Sequence, residues 1–379
     1  MRQCRQQRRQ PRSAGDLTLT ASNGVNNTDG ELVTDGALVL RSASLDNSRG
    51  SLSAKGAVSL TTGVLSNSGG RLNSAETLDL TASQLNNGGN IGSLKALTAN
   101  LGGLDQQGGK LSSNTRLSLD LNGGRLDNQG GLINSAGPLL LSNLADVGNR
   151  NGEISSAQAF TLAAHSLDNS NGRLLSNQAL NLLIAQALTN AKGLAGAASL
   201  VVSAASVDNR EGILNSRGDL QLTSSGLLDN RQQGLVSAAG ILTLNSGDLY
   251  NQAGSLLGAS AASLTVRALN NSAAGLINSQ GGLQLRASSL DSSGGEVSAR
   301  SNLTLDLGAL LLSGGRIVGD QAVTLDLNGN DLSSTGGLIL AKGALTFDRV
   351  GAFSNAGASC PPSRASPSTP AAWTTATAS

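Results

Sequence analysis

Residues 165–176 read HSLDNSNGRLLS, and close variants of that run return along the whole chain. Residues 44–52 read SLDNSRGSL, residues 206–214 read SVDNREGIL and residues 289–297 read SLDSSGGEV. The apolar residue before the D-N pair serves as a landmark. It falls at Val25, Leu45, Leu65, Leu85, Leu104, Leu126, Val147, Leu167, Leu188, Val207, Leu228, Leu249, Leu269, Leu290, Leu310, Leu332 and Phe353. The 17 landmarks lie 19 to 22 residues apart, with a mean of 20.5.

A second apolar column follows, usually seven residues later and just after a Gly: Leu52, Leu72, Leu174, Leu194 and Leu214 are examples. Two residues further on stands a column of small residues, such as Ala54, Ser74, Ser176, Gly196 and Ser216, in which nothing exceeds Thr. Then comes L-x-L, as in Leu78/Leu80, Leu180/Leu182 and Leu303/Leu305. A spacing of two is the strand period, and Gly, Asn, Asp and Ser between strands are turn chemistry. A period near 20 leaves no room for a crossover helix. The pattern predicts an all-β, right-handed parallel β-helix of about 17 coils, in which each strand pairs with its equivalent in the next coil.

In that arrangement equivalent residues sit about 4.8 Å apart. Leu above Leu builds a narrow aliphatic core, as a chain with only 1% aromatic residues requires. Phe160, Phe347 and Phe353 occupy core Leu positions and read as packing variants. The small column marks a crowded inward position near a corner. The Asn two residues after the landmark (Asn47, Asn67, Asn87, Asn128, Asn169, Asn190, Asn209, Asn230, Asn251 and Asn271) can hydrogen-bond along the axis as an amide ladder, and Asn tolerates the left-handed turn conformation. One coil buries about four large aliphatic side chains at ~1.5–3 kcal/mol each, against ~1–2 kcal/mol of backbone entropy for each of ~20 residues. A coil folds only on its neighbours. Leucine-rich repeats can share the period, but they place Asn three residues after the second Leu of L-x-L. Here the interval is about seven, as from Leu162 to Asn169.

The unit GRLNSAETLDLTASQLNN at 70–87, seen again from GRLLSNQALNL to LTN at 172–190, resembles the haemagglutinin repeat of filamentous haemagglutinins and of contact-dependent growth inhibition toxins. The resemblance covers about residues 15–355 in some 16 consecutive copies. It implies a structural shaft of a very long secreted or surface exoprotein, exported by an outer-membrane secretion transporter. Such a shaft would present binding or toxin domains to a host or neighbouring-cell surface. Two other functions are open: an adhesive module that binds through the repeats themselves, and a carbohydrate-active β-helix enzyme.

Composition narrows these choices. Residues 15–355 hold 20 basic and 25 acidic residues, so the body is mildly acidic and no match for nucleic acid. Cys4 and Cys360 lie outside the repeats, and no apolar run is long enough to span a membrane. An enzyme would need acids and bases gathered on one wall. The best candidates follow the landmark: Asp46, Asp105, Asp127, Asp168, Asp208, Asp229 and Asp291, with Asp105/Asp127 and Asp208/Asp229 on neighbouring coils. Their simplest role is to cap turns. His165, the single His, reads as a surface or turn residue, which makes a transition-metal site improbable. Pairs such as Gly69-Gly70 and Gly294-Gly295 recur at turns and are not phosphate loops. Only Tyr250 and Trp373 could serve as aromatic sugar platforms. No catalytic, cofactor-binding or metal residue is assigned, and no cofactor is implied.

Residues 1–14 carry five Arg and no acid, and no apolar stretch follows as in a signal peptide. Residues 356–379 are rich in Pro, Ser, Thr and Ala and read as disordered. Both ends are read as sequence outside the shaft at 15–355. Open strands at a coil cut in mid-array would favour end-to-end self-association.

Overall fold

The computed structural model describes residues 12–354, where the chain forms 46 strands and no helix. Cys4, Cys360, Trp373 and the terminal tail lie outside these residues.

Each coil carries three strands. The short strand after the Gly, such as Arg173–Ser176, belongs to a first sheet of 17 parallel strands. The L-x-L strand and the landmark strand form two further walls. They merge where one strand runs through the corner, as in Val58–Ser66, Leu78–Asn86 and Gly282–Asp291. All pairing is parallel and between successive coils. Leu162 registers on Leu182, Leu182 on Val202, and Val202 on Leu222. The landmarks also stack one on the next, from Val25 on Leu45 to Leu332 on Phe353. At about 4.8 Å per coil, 17 coils make a stack about 80 Å long.

The core is a column of Leu, Ile and Val whose members are almost wholly buried. Phe160 is buried among them, and Phe347 packs at the edge of the core. Phe353 keeps the landmark register but is 47% exposed, so it is not the core residue the sequence suggests. It meets Phe347 edge-on, with ring centroids 5.6 Å apart. The small column sits at a corner, where a Ser hydroxyl closes the turn. Ser176 Oγ donates to the Gln158 and Ala179 carbonyls at 2.9 and 3.0 Å and accepts from the Gln178 N–H.

One coil departs from the expected columns. Leu174 registers on Ala195, not Leu194, and Ala197 follows in the small column instead of Gly196. Leu194 and Gly196 therefore face outward. The spacing of seven from Leu188 points to Ala195, and the backbone follows that spacing over side-chain bulk.

The amide ladder is longer than its most regular members suggest. Asn27, Gln106 and Asn149 join it, so that 13 stacked amides make 12 bonds of 2.7–3.0 Å. Each amide nitrogen donates to the oxygen of the next coil, and at Asn271 the acceptor becomes Ser292 Oγ at 3.3 Å. Leu312 then takes the column. The ladder Asn residues are not themselves left-handed. That conformation falls two residues later, at Arg49 (φ 53°), Asn171 (φ 54°) and Gly294 (φ 66°). The Gly that follows is required by close approach: a Cβ on Gly172 would lie 2.1 Å from the Asn149 carbonyl oxygen.

Two pairs of variants test this arrangement in thermal unfolding. Leu182 is fully buried and Leu183, its neighbour, is 45% exposed. Leu182→Asp should cost several kcal/mol and Leu183→Asp within about 0.5 kcal/mol. Equal melting of the two would overturn the assignment of inside and outside. Asn169→Ala strands the Asn190 oxygen and leaves the Asn149 nitrogen only its longer bonds to the Gly152 and Arg173 carbonyls, and should cost roughly 1–3 kcal/mol. Asn181→Ala, which removes one outward contact to Thr161, should cost less than about 0.5 kcal/mol.

Candidate functional site

The Asp column borders the turn that follows the landmark strand. Most of its carboxylates do one job there. Each accepts the backbone N–H two residues on: Ser48 to Asp46 at 2.9 Å, Gln129 to Asp127 at 3.1 Å, Ser170 to Asp168 at 3.0 Å and Ser293 to Asp291 at 3.0 Å. Asn26 and Asn270 bond in the same way with their side-chain oxygens. This is the turn geometry that Asp and Asn share. Asp105 differs, accepting from the Gln107 side chain at 3.4 Å.

The neighbouring acids do stack. Asp105 registers on Asp127, and Asp208 on Asp229. At the second pair two guanidinium groups separate the charges. Arg210 bonds Asp208 at 2.7 Å and lies 3.7 Å from Asp229, and Arg231 bonds Asp229 at 2.7 Å. The Arg231 guanidinium also sits over the Tyr250 ring, 5.4 Å from its centroid. Burial alone would raise the Asp208 pKa, but hydrogen bonds from Arg210 outweigh it and hold the carboxyl below its ordinary 3.8. At Asp168 burial is likewise outweighed, there by Ser170 and Arg150. Hydrogen bonds from Ser48 lower Asp46. These are fixed anions, the reverse of the raised carboxyl that a general acid needs.

Two shallow clefts interrupt this face. One, of about 310 Å³, opens where Gly148 leaves a gap between Asp127 and Asp168, with Arg125 and Arg150 at its rim. The other, of about 350 Å³, is floored by Ala268, Ser289 and Ala309 and bordered by Tyr250 and Leu311. His165 is exposed at a corner, with only its backbone tied to Ala145 and Gln186. Gly69 and Gly294 are left-handed turn residues. Among the described residues no three or more His, Cys, Asp or Glu side chains gather as metal ligands, and no helix is long and apolar enough to cross a membrane.

The lowered carboxylates fix the sign of the pH response. A group whose pKa is depressed on folding stabilises the fold above its unfolded value, and that stabilisation is lost as pH falls. Thermal unfolding followed by circular dichroism should give a steady midpoint above about pH 5 and a falling one below about pH 4. Asp208→Asn should flatten part of that fall, whereas a midpoint that rises on acidification would contradict the ion pairs.

Compared with known proteins, the chain matches the haemagglutinin repeat in overlapping segments at residues 12–82, 77–164, 140–192, 184–244, 225–271 and 259–358. No curated protein and no solved structure matches it. The matched segments run through every described coil, and the chain belongs to the haemagglutinin repeat family.

Proposed function

We propose that this chain is the shaft of a large secreted or cell-surface bacterial adhesin or contact-dependent growth inhibition toxin. The shaft is carried out through a dedicated outer-membrane transporter and holds binding or toxin domains away from the cell. One observation carries the reading. Strand pairing passes from coil to coil without a break along the first sheet, from Arg12 on Val33 to Ile317 on Ile339, and along the landmark wall, from Val25 on Leu45 to Leu332 on Phe353. Side chains are spent on stacking, and the polar groups of the turn face are spent on turns and ion pairs. A solenoid whose units differ little gives length and stiffness. Family members are typically secreted or surface-exposed, which fits this role. The shaft is placed at residues 15–355, with Arg12–Ser13 of the N-terminal stretch joined to it by pairing with Val33–Thr34 and the stretch at 356–379 outside it.

A second reading, in which the repeats themselves adhere, is favoured by the cleft at Tyr250. Exposed aromatic rings beside polar groups suit recognition of another surface.

The test is a set of whole-coil deletions in the full exoprotein. Removing any four coils should shorten the rod by about 19 Å, at about 4.8 Å per coil, and reduce adhesion or growth inhibition alike wherever the block is taken. Abolition by one block alone, reproduced by Tyr250→Ala, would replace the shaft reading with the adhesive one.

A further inference from the structure

The first sheet presents its alternate residues to solvent, and in each strand the first and third side chains point outward. Followed along the axis, the first outward position has an ordered pattern. Its centre is apolar except at one Ser: Leu194, Ile213, Leu235, Ser255 and Leu276 stack in register. Ile213 is 38% exposed and the Leu residues are half-buried. On the N-terminal side the column continues to Arg173, Glu153 and Leu132. On the C-terminal side it continues to Glu296, Arg316 and Leu338. Glu153 and Arg173 pair at 3.3 Å, and Glu296 and Arg316 at 3.5 Å.

The order of this column is self-complementary on reversal. About a two-fold axis through Leu235, along the strand direction, Leu194 of one copy meets Leu276 of the other. Ile213 meets Ser255, and Leu235 meets itself. Arg173 then faces Glu296, Glu153 faces Arg316, and Leu132 faces Leu338. Each end of the apolar stripe is closed by four charges of alternating sign. The outward residues two positions along (Leu175, Gly196, Asn215, Ser237, Leu257 and Asn278) are uncharged, so no ion is buried without a partner.

We propose that this face joins two copies of the chain side by side and antiparallel. The arrangement is isologous, the symmetry expected of a closed dimer. Eleven coils at about 4.8 Å, by a four-residue strand of about 13 Å, cover roughly 690 Å² per partner, toward the low end of specific interfaces. The apolar stripe supplies the contact, and the charges fix the register. A parallel arrangement would set each charged residue against the neutral residue two positions along and lose the match.

The test uses the full chain with Cys4→Ser and Cys360→Ser, and a thiol cross-linker spanning about 10 Å, the separation of packed sheets. Leu235→Cys should cross-link to its own copy. Leu194→Cys alone should not, because its copy lies four coils, or about 19 Å, along the axis. A mixture of Leu194→Cys with Leu276→Cys should cross-link. In sedimentation equilibrium the parent should form a dimer, and Ile213→Asp should weaken it at least about tenfold. Equal self-linking at positions 194 and 235 would overturn the proposal. So would failure of the mixed pair to link, or an open series of oligomers that Ile213→Asp leaves unchanged. The mixed pair decides the matter without recourse to the Asp variant.

Discussion

Every side chain in this molecule must tolerate its own equivalent about 4.8 Å above and below, because the coils pair parallel and in register. That constraint sorts the residue types. Leu on Leu is self-compatible and fills the core. Asn on Asn is self-compatible for another reason: the carboxamide carries a donor and an acceptor, so a column can pass one bond per coil from Asn27 to Asn271. Asp on Asp is not self-compatible. The acidic column is accordingly broken by neutral residues at many coils, and its stacked pairs carry Arg, as Arg125 on Asp127 and Arg210 and Arg231 on Asp208 and Asp229. A Gln serves at position 106 because it has the same end group, and Ser292 ends the run with a hydroxyl.

The same ladder ties the interior to the exterior. Beyond its bond to the next amide, the Asn nitrogen reaches a backbone carbonyl on the first sheet of the following coil. Asn209 reaches Leu235 at 3.2 Å and Asn230 reaches Ser255 at 3.2 Å. Those carbonyls belong to the residues whose side chains form the outward column. The buried amides therefore hold the register of an exposed surface, with each outward side chain anchored one atom group away from the core.

The repeat made most of the fold legible. The landmark spacing placed the landmark stacking, and a period too short for a helix placed one coil in each repeat, whereas the division of each coil into three strands comes from the structure. The misreading at Leu194 shows where legibility ends. Bulk favoured Leu194 as the core residue, whereas spacing favoured Ala195, and only the strand register decides between them. Asn149 keeps the interval of two from Val147 and could have been found by it, whereas Gln106 escaped because its side chain differs by one methylene. The left-handed residue was displaced by two because it carries little identity of its own. Asp29, Arg49, Lys192 and Ala253 all occupy it. The turn role of the Asp column was readable from its interchange with Asn. The Arg clamp was not, since the approach of Arg210 to Asp229 on the next coil arises only when the coils lie side by side.

A solenoid of this kind separates two sets of information. The inward columns are fixed by stacking and vary little. The outward columns are free of the core, so substitutions there leave stability nearly unchanged. Order in an outward column therefore asks for a cause other than folding. Most outward positions here show none: the third position of the first sheet mixes Ser, Asn, Gly and Leu without pattern. The first position is different, because over eleven successive coils charges of opposite order enclose a five-coil stripe that is Leu or Ile except at Ser255. Local ion pairing explains Glu153 with Arg173 and Glu296 with Arg316, but not why their order suits reversal about Leu235. A facing copy accounts for both the apolar stripe and the order of its ends with one symmetry operation.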